Sequence, residues 1–152
     1  MATRTTRGGD VSLVQKAAGA VGIVFILVGV AGFIPGLTTN YDTMTFVDHE
    51  SEAQLLGLFR VNILHNIVHL LFGVAALVAA RAMNWSRSYL VGGGALYLVL
   101  FLYGLVVDLD EPANFVSLNG ADNWLHLGLG VGMIALGILV PRARQHTRPA
   151  TA

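Results

Sequence analysis

The sequence predicts an all-α integral membrane protein, a four-helix bundle built from two duplicated helical hairpins (helices 1–2 and 3–4). Three observations predict it. Four apolar stretches, near Ala17–Leu37, Val61–Ala80, Tyr89–Val107 and Trp124–Val140, approach the roughly 20 residues a helix needs to cross a bilayer. The charges between them sort by sign. A spaced set of Asn, His and Asp side chains recurs in the second and fourth stretches.

The charge map gives the orientation. Eight of the nine basic residues lie in the N-terminal arm (Arg4, Arg7, Lys16), the middle connection (Arg81, Arg87) and the C-terminal tail (Arg142, Arg144, Arg148). Eight of the nine acidic residues lie in the other two connections, at Asp42, Asp48, Glu50 and Glu52 and at Asp108, Asp110, Glu111 and Asp122. Asp10 and Arg60 are the exceptions. Lys and Arg are retained on the cytoplasmic side, so this alternation predicts a multi-pass protein of the cell (plasma) membrane with both termini cytoplasmic. With 55% hydrophobic and 12% charged residues, the chain is too apolar for an ordinary soluble domain. The expected partner is the lipid bilayer, whose anionic inner leaflet suits the basic face, and a homo-oligomer is a further expectation. Nothing aromatic or repetitive accompanies the basic tails, so nucleic acid is not an expected partner. With no cysteine, disulfides, thiolate metal sites and thiol catalysis are excluded.

Residues 1–12 read as a disordered cytoplasmic arm, 13–140 as the four-helix transmembrane domain and 141–152 as a basic cytoplasmic tail. The first stretch is too long for a signal-peptide core, and Phe33-Ile34-Pro35-Gly36 offers no small-x-small cleavage site, so it reads as a retained helix. Ser51 and Gln54 have capping-box spacing and place the start of the second helix at Glu52. Asn119 and Asp122 form a related start for the fourth, whose apolar run of seventeen residues is short and calls for an earlier beginning. Gly32-x-x-x-Gly36, Gly92-Gly93-Gly94 and Gly128-x-x-x-Gly132 read as sites of close helix packing. Trp85, Tyr89, Tyr103 and Trp124 read as interfacial anchors.

The duplication rests on an offset of 57 residues. Asn62, His65, Asn66, His69, Leu70, Gly73 and Val74 align with Asn119, Asp122, Asn123, His126, Leu127, Gly130 and Val131, six of seven identical. The polar members fall at i, i+3, i+4 and i+7, one helical face. Two such stripes, descending from the outer surface, are expected to turn toward each other. Ionisable residues inside membrane helices are costly, which makes the cluster a candidate site.

Several chemistries fit these residue types. His65, His69, Asp122 and His126 could ligate a transition metal, with the four Asn side chains fixing imidazole tautomers. Alternatively His69 and His126 could be axial ligands of a b-type haem, with Gly73 and Gly130 making room for the macrocycle. Asn and His also serve as interhelical fastening with no ligand at all. A titratable stripe entering from one side suits a subunit of an oligomeric small-solute or proton transporter or channel. An enzyme has the weakest basis, since no nucleophile motif exists and only a His65–Asp122 acid/base pair could be drawn.

The motifs N-I-L-H-N-I-V-H-L-L-F-G-V (residues 62–74) and N-F-V-S-L-N-G-A-D-N-W-L-H-L-G-L-G-V-G (residues 114–132) resemble the bacterial domain-of-unknown-function 4383 family. The resemblance covers most of residues 13–140. It implies a four-helix integral membrane protein and carries no catalytic residue or cofactor with it.

Overall fold

The computed structural model describes residues 11–140, so most of the expected arm and all of the expected basic tail lie outside the described residues. Four helices, α1 (Leu13–Ala31), α2 (Ile63–Ala79), α3 (Met83–Val106) and α4 (Gly120–Leu139), make up most of it. Three of them, α1, α3 and α4, are long and apolar enough to cross a membrane; α2 is apolar but has 17 residues. At 1.5 Å per residue that is about 25 Å of helix, slightly less than a hydrocarbon core.

The expectation of an all-α chain needs correction. The connection between α1 and α2 folds into a three-stranded antiparallel sheet of β1 (Thr38–Thr39), β2 (Gln54–Leu55) and β3 (Phe59–Arg60), in that order. The start of α2 is corrected with it. Ser51 and Gln54 do not cap a helix. The Ser51 hydroxyl donates to the Val61 carbonyl at 2.6 Å, and Gln54 pairs with Thr39 and Arg60 in the sheet. The capping side chain is Asn62, whose Oδ1 accepts from the His65 N–H at 2.8 Å. Local capping spacing lost to strand pairing, because the apolar residues Ala53, Leu55 and Val61 form a small second core beneath the sheet. Asn62→Ala should therefore lower stability by about 1–2 kcal/mol in a denaturant titration of detergent-solubilised protein. Gln54→Ala should change it by less than about 0.5 kcal/mol; equal effects would place the cap wrongly.

At the other end of the chain the sequence signal is correct. α4 starts at Gly120, with Asn119 and Asp122 forming a reciprocal capping box. The Asn119 Oδ1 accepts from the Asp122 N–H, and the Asp122 carboxylate accepts from the Asn119 N–H, both at 3.0 Å.

α1 packs antiparallel against α2, and α3 against α4, at points where glycine removes the side chain between backbones. A Cβ on Gly22 would lie 2.9 Å from the Gly73 carbonyl oxygen, and one on Gly94 would lie 2.8 Å from that of Gly130. These contacts recur at fixed spacing, 72 residues from α1 to α3 and 57 from α2 to α4. Gly32 meets the side chain of Asn66 as Gly104 meets that of Asn123. Phe25 packs on His69 as Tyr97 packs on His126. At the far end Gln15 Nε2 donates to the Ala80 carbonyl, as Arg87 Nη1 donates to the Gly137 carbonyl. Each of these last two side chains satisfies a carbonyl that its neighbouring helix leaves free at its C-terminus. Phe25 and Tyr97 touch each other between the hairpins, with Val14, Ala18, Leu90 and Met133 completing the core.

Not every glycine motif packs this way. Gly128, Gly132 and Gly92 have open space where a Cβ would stand, and Gly36 sits in a turn with φ +94° beyond the end of α1. Of the motif glycines, Gly32, Gly93 and Gly94 do meet a neighbouring helix, and Gly22, Gly29, Gly73 and Gly130 outside the expected motifs do so as well. Of the expected anchors, Trp85 and Trp124 are exposed on the helices' outer faces, whereas the Tyr89 and Tyr103 hydroxyls donate to the Phe72 and Ala113 carbonyls.

Candidate functional site

The eight polar residues of the two stripes separate into those the fold uses and those it leaves free. Asn62 and Asn119 stand at the N-caps of α2 and α4, and each also crosses to the other half of the molecule. Asn62 Nδ2 donates to the Phe115 carbonyl at 3.1 Å, and Asn119 Nδ2 donates to the Leu58 carbonyl at 2.9 Å. Phe115 lies 57 residues after Leu58, so the two contacts are reciprocal. Ser117 ties this region further. Its hydroxyl accepts from Asn62 and donates to the Asp48 carbonyl, while its backbone takes a left-handed φ of +54°, unusual for a residue other than glycine.

Asn66 and Asn123 are buried one turn deeper. Their Oδ1 atoms have no conventional hydrogen-bond partner, but each amide lies where a Cβ on Gly32 or Gly104 would be. The bare glycine Cα–H groups are the donors left to those oxygens, a weak but recurrent arrangement at helix interfaces. Asn66 Nδ2 also reaches the Met44 sulfur at 3.8 Å.

Asp122 is also committed to structure. Besides the Asn119 N–H, its carboxylate accepts from the Arg60 N–H at 3.1 Å, joining β3 to α4. Arg60, the lone basic residue of the acidic connections, thus meets an acid through its backbone.

His65, His69 and His126 line one cavity of about 220 Å³ together with Tyr97, and Asp122 is not in its wall. The rest of the wall is apolar, with Leu64, Val68, Phe72, Leu96, Leu100 and Phe115 prominent. The His65 and His69 rings stack in parallel, 4.6 Å between centroids and 2° between planes. His69 Nδ1 lies 3.1 Å from the His65 carbonyl oxygen. A carbonyl can only accept, so Nδ1 carries the proton and Nε2 of the neutral ring presents its lone pair. His126 is 4% exposed, and its Nδ1 has no partner.

This geometry bears on the two cofactor expectations. Imidazole lone pairs lie in the ring plane, so two parallel stacked rings direct them side by side rather than onto one ion. Among the described residues no group of three or more His, Cys, Asp or Glu is disposed to hold a metal ion. The glycines expected to make room for a macrocycle are filled. Gly73 is met by Ile26 and the Gly22 carbonyl, and Gly130 by Leu98 and the Gly94 carbonyl. Phe25 and Tyr97, packed on His69 and His126, touch each other at 5.6 Å between centroids.

Tyr97 was not among the sequence-level candidates. In an apolar helix with three consecutive glycines it reads as one more core aromatic. The signal that marks it is internal: Phe25 stands 72 residues earlier, so a hydroxyl is the difference between the two positions.

No curated protein and no solved structure matches the chain. The family model described as Domain of unknown function (DUF4383) matches residues 15–139, nearly the whole described helical domain. With its distinctive Asn/His/Asp motifs inside that match, the chain belongs to the DUF4383 family of domains of unknown function.

Proposed function

We propose that this protein is a duplicated two-hairpin membrane bundle that binds a small molecule in its histidine-lined cavity. The duplication is supported by the recurrence of four interhelical contacts at constant offsets and by the reciprocal Asn62–Phe115 and Asn119–Leu58 bonds, the pattern of an isologous two-fold interface. The axis of that relation would run along the membrane normal, as in parallel repeats. Charge sorting supports cytoplasmic termini in the plasma membrane, which puts the sheet and the cavity at the outer leaflet.

One observation carries the binding reading. Asn62, Asn119 and Asp122 are consumed by caps and cross-links, and Asn66 and Asn123 by helix packing, yet the imidazoles of His65, His69 and His126 gather in the wall of one cavity. Structural fastening alone accounts for the amides and the carboxylate, and among the imidazoles it engages His69 Nδ1 with the His65 carbonyl and His65 with the Val116 backbone, leaving His126 Nδ1 without a partner beside the cavity. A transition metal has less support, because the rings do not converge and Asp122 is engaged elsewhere. A b-type haem has less still, because a macrocycle between His69 and His126 would displace Phe25 and Tyr97. The transporter alternative lacks a continuous polar path, since the core on the far side of the histidines is Val14, Ala18, Leu90 and Met133.

Leu100→Trp tests the binding reading by filling the cavity. Small molecules released from the native protein purified from membranes should include a near-stoichiometric compound that is at least tenfold depleted in Leu100→Trp. The variant should keep its melting temperature within a few degrees. Equal retention by both proteins, or nothing retained by either, would overturn the proposal, and a Soret band or stoichiometric metal in the native protein would replace it with a cofactor site.

A further inference from the structure

The chemistry of the cavity wall narrows what it can hold. Its volume of about 220 Å³ is below the ~300 Å³ at which drug-sized ligand pockets begin, and above the ~150 Å³ of an engineered apolar cavity that takes up benzene. One substituted six-membered ring is the natural size of occupant. The exposed lining residues are Val68 on α2, Leu96 on α3 and Phe115 in the connection before α4, at 40%, 42% and 50%, so the mouth lies between α2 and α3 beneath that connection. No charged group lines it, so an occupant enters more readily from hydrocarbon than from water.

Polarity inside the cavity is directional. His69 Nδ1 is turned back to its own helix, so the far end of its ring offers a lone pair and requires a donor from the ligand. The Tyr97 hydroxyl, unlike those of Tyr89 and Tyr103, is given to no backbone carbonyl among the described residues. Tyr97 and His69 also flank the same ring, Phe25, at 5.6 Å each between centroids. The two halves of the bundle differ here in a telling way. The position equivalent to Tyr97 is Phe25, and that equivalent to His65 is Asp122, which is tied into the capping box. Both departures from repeat equivalence place a polar ring at this one cavity.

Resting on the cavity-binding reading above, we infer that the ligand is a lipid-soluble aromatic ring bearing a hydroxyl, a phenol or hydroquinone head. Its hydroxyl donates to Nε2 of His69, with Tyr97 as the second polar partner and the apolar wall around the ring. A ring that carries only acceptors, such as the oxidised quinone, leaves the His69 lone pair unmatched and binds more weakly. A site built around a hydrogen bond rejects the analogue lacking it far more strongly than a pocket rejects a change of shape.

The probes are 4-methylphenol and p-xylene, near-isosteric rings differing by one hydroxyl. Saturation-transfer NMR on the full chain in detergent, with empty micelles correcting for partition, measures both. The native protein should bind 4-methylphenol at least tenfold more tightly than p-xylene. Tyr97→Phe should reduce that preference to threefold or less without weakening p-xylene binding, and His69→Gln, which keeps an acceptor, should retain more of it than His69→Leu. Equal binding of the two rings by the native protein overturns the hydroxyl assignment while leaving a cavity that binds. Binding of neither ring overturns the assignment and the cavity reading together. A preference that survives both Tyr97→Phe and His69→Leu overturns the roles given to those residues. A cooperative thermal melt within a few degrees of the native protein's serves as the check that each variant has folded.

Discussion

Gly94→Ala should destabilise the bundle by about 1–3 kcal/mol, the range for forcing a methyl group into a filled interior. Its Cβ would stand 2.8 Å from the Gly130 carbonyl oxygen and 3.0 Å from the Ile134 N, both backbone atoms that cannot swing aside. The α3 and α4 helices would have to separate. Gly22→Ala should behave alike, since its Cβ would lie 2.9 Å from the Gly73 carbonyl oxygen. Gly92→Ala and Gly128→Ala are the internal controls. Each has nothing within 4 Å of the added carbon, and replacing glycine by alanine within a helix gains up to about 1 kcal/mol. Denaturant titration of the four variants in one detergent gives the comparison. If Gly94→Ala and Gly92→Ala shift stability equally, the proposed close approach between α3 and α4 does not exist.

Asp122→Ala should cost about 2–3 kcal/mol, because two buried backbone N–H groups lose their shared carboxyl acceptor and one of them is Asn119, already at a helix end. The effect couples two elements: β3 is released from α4 as the capping box is lost. His65→Ala, 57 residues earlier on α2, should cost less than half as much, since its ring caps nothing. Asp122→Asn keeps one oxygen acceptor and should fall between. Unfolding free energies measured under identical conditions decide it. Equal losses for Asp122→Ala and His65→Ala would mean that the two positions still play one role, and the assignment of His65 to the cavity would lose its basis.

Much of this is legible in the amino-acid sequence. The helices follow from apolar length, and the start of α4 follows from Asn119 and Asp122, because a capping box is a contact across three residues. The two stripes follow from helical periodicity. The start of α2 departs from its local signal for the opposite reason. Ser51 and Gln54 satisfy the same local rule, but Gln54 is claimed by β1 and β3, and that pairing depends on Thr39 and Arg60 on either side of it in the chain. The glycines divide similarly. Gly128-x-x-x-Gly132 has the spacing of a packing motif yet faces outward, while Gly73 and Gly130, expected to clear space for a cofactor, are closed off by the backbone of the neighbouring helix. Spacing identifies a helix face and leaves open which neighbour covers it.

The chain's own residues determined that there would be four apolar helices, how their charged ends would be sorted, and that two of them would carry matching Asn and His side chains. These are properties of a helix and its transfer into hydrocarbon, which short-range periodicity and composition encode. Tertiary structure alone decided which of those side chains are used up and which are free. Asp122 is drawn off by a backbone N–H of β3, Asn66 and Asn123 by glycines on neighbouring helices, and Tyr97 is brought from an unremarkable apolar segment to the three imidazoles. Each of those outcomes is a contact between segments far apart in sequence, fixed by how the hairpins pack, and no local pattern carries it.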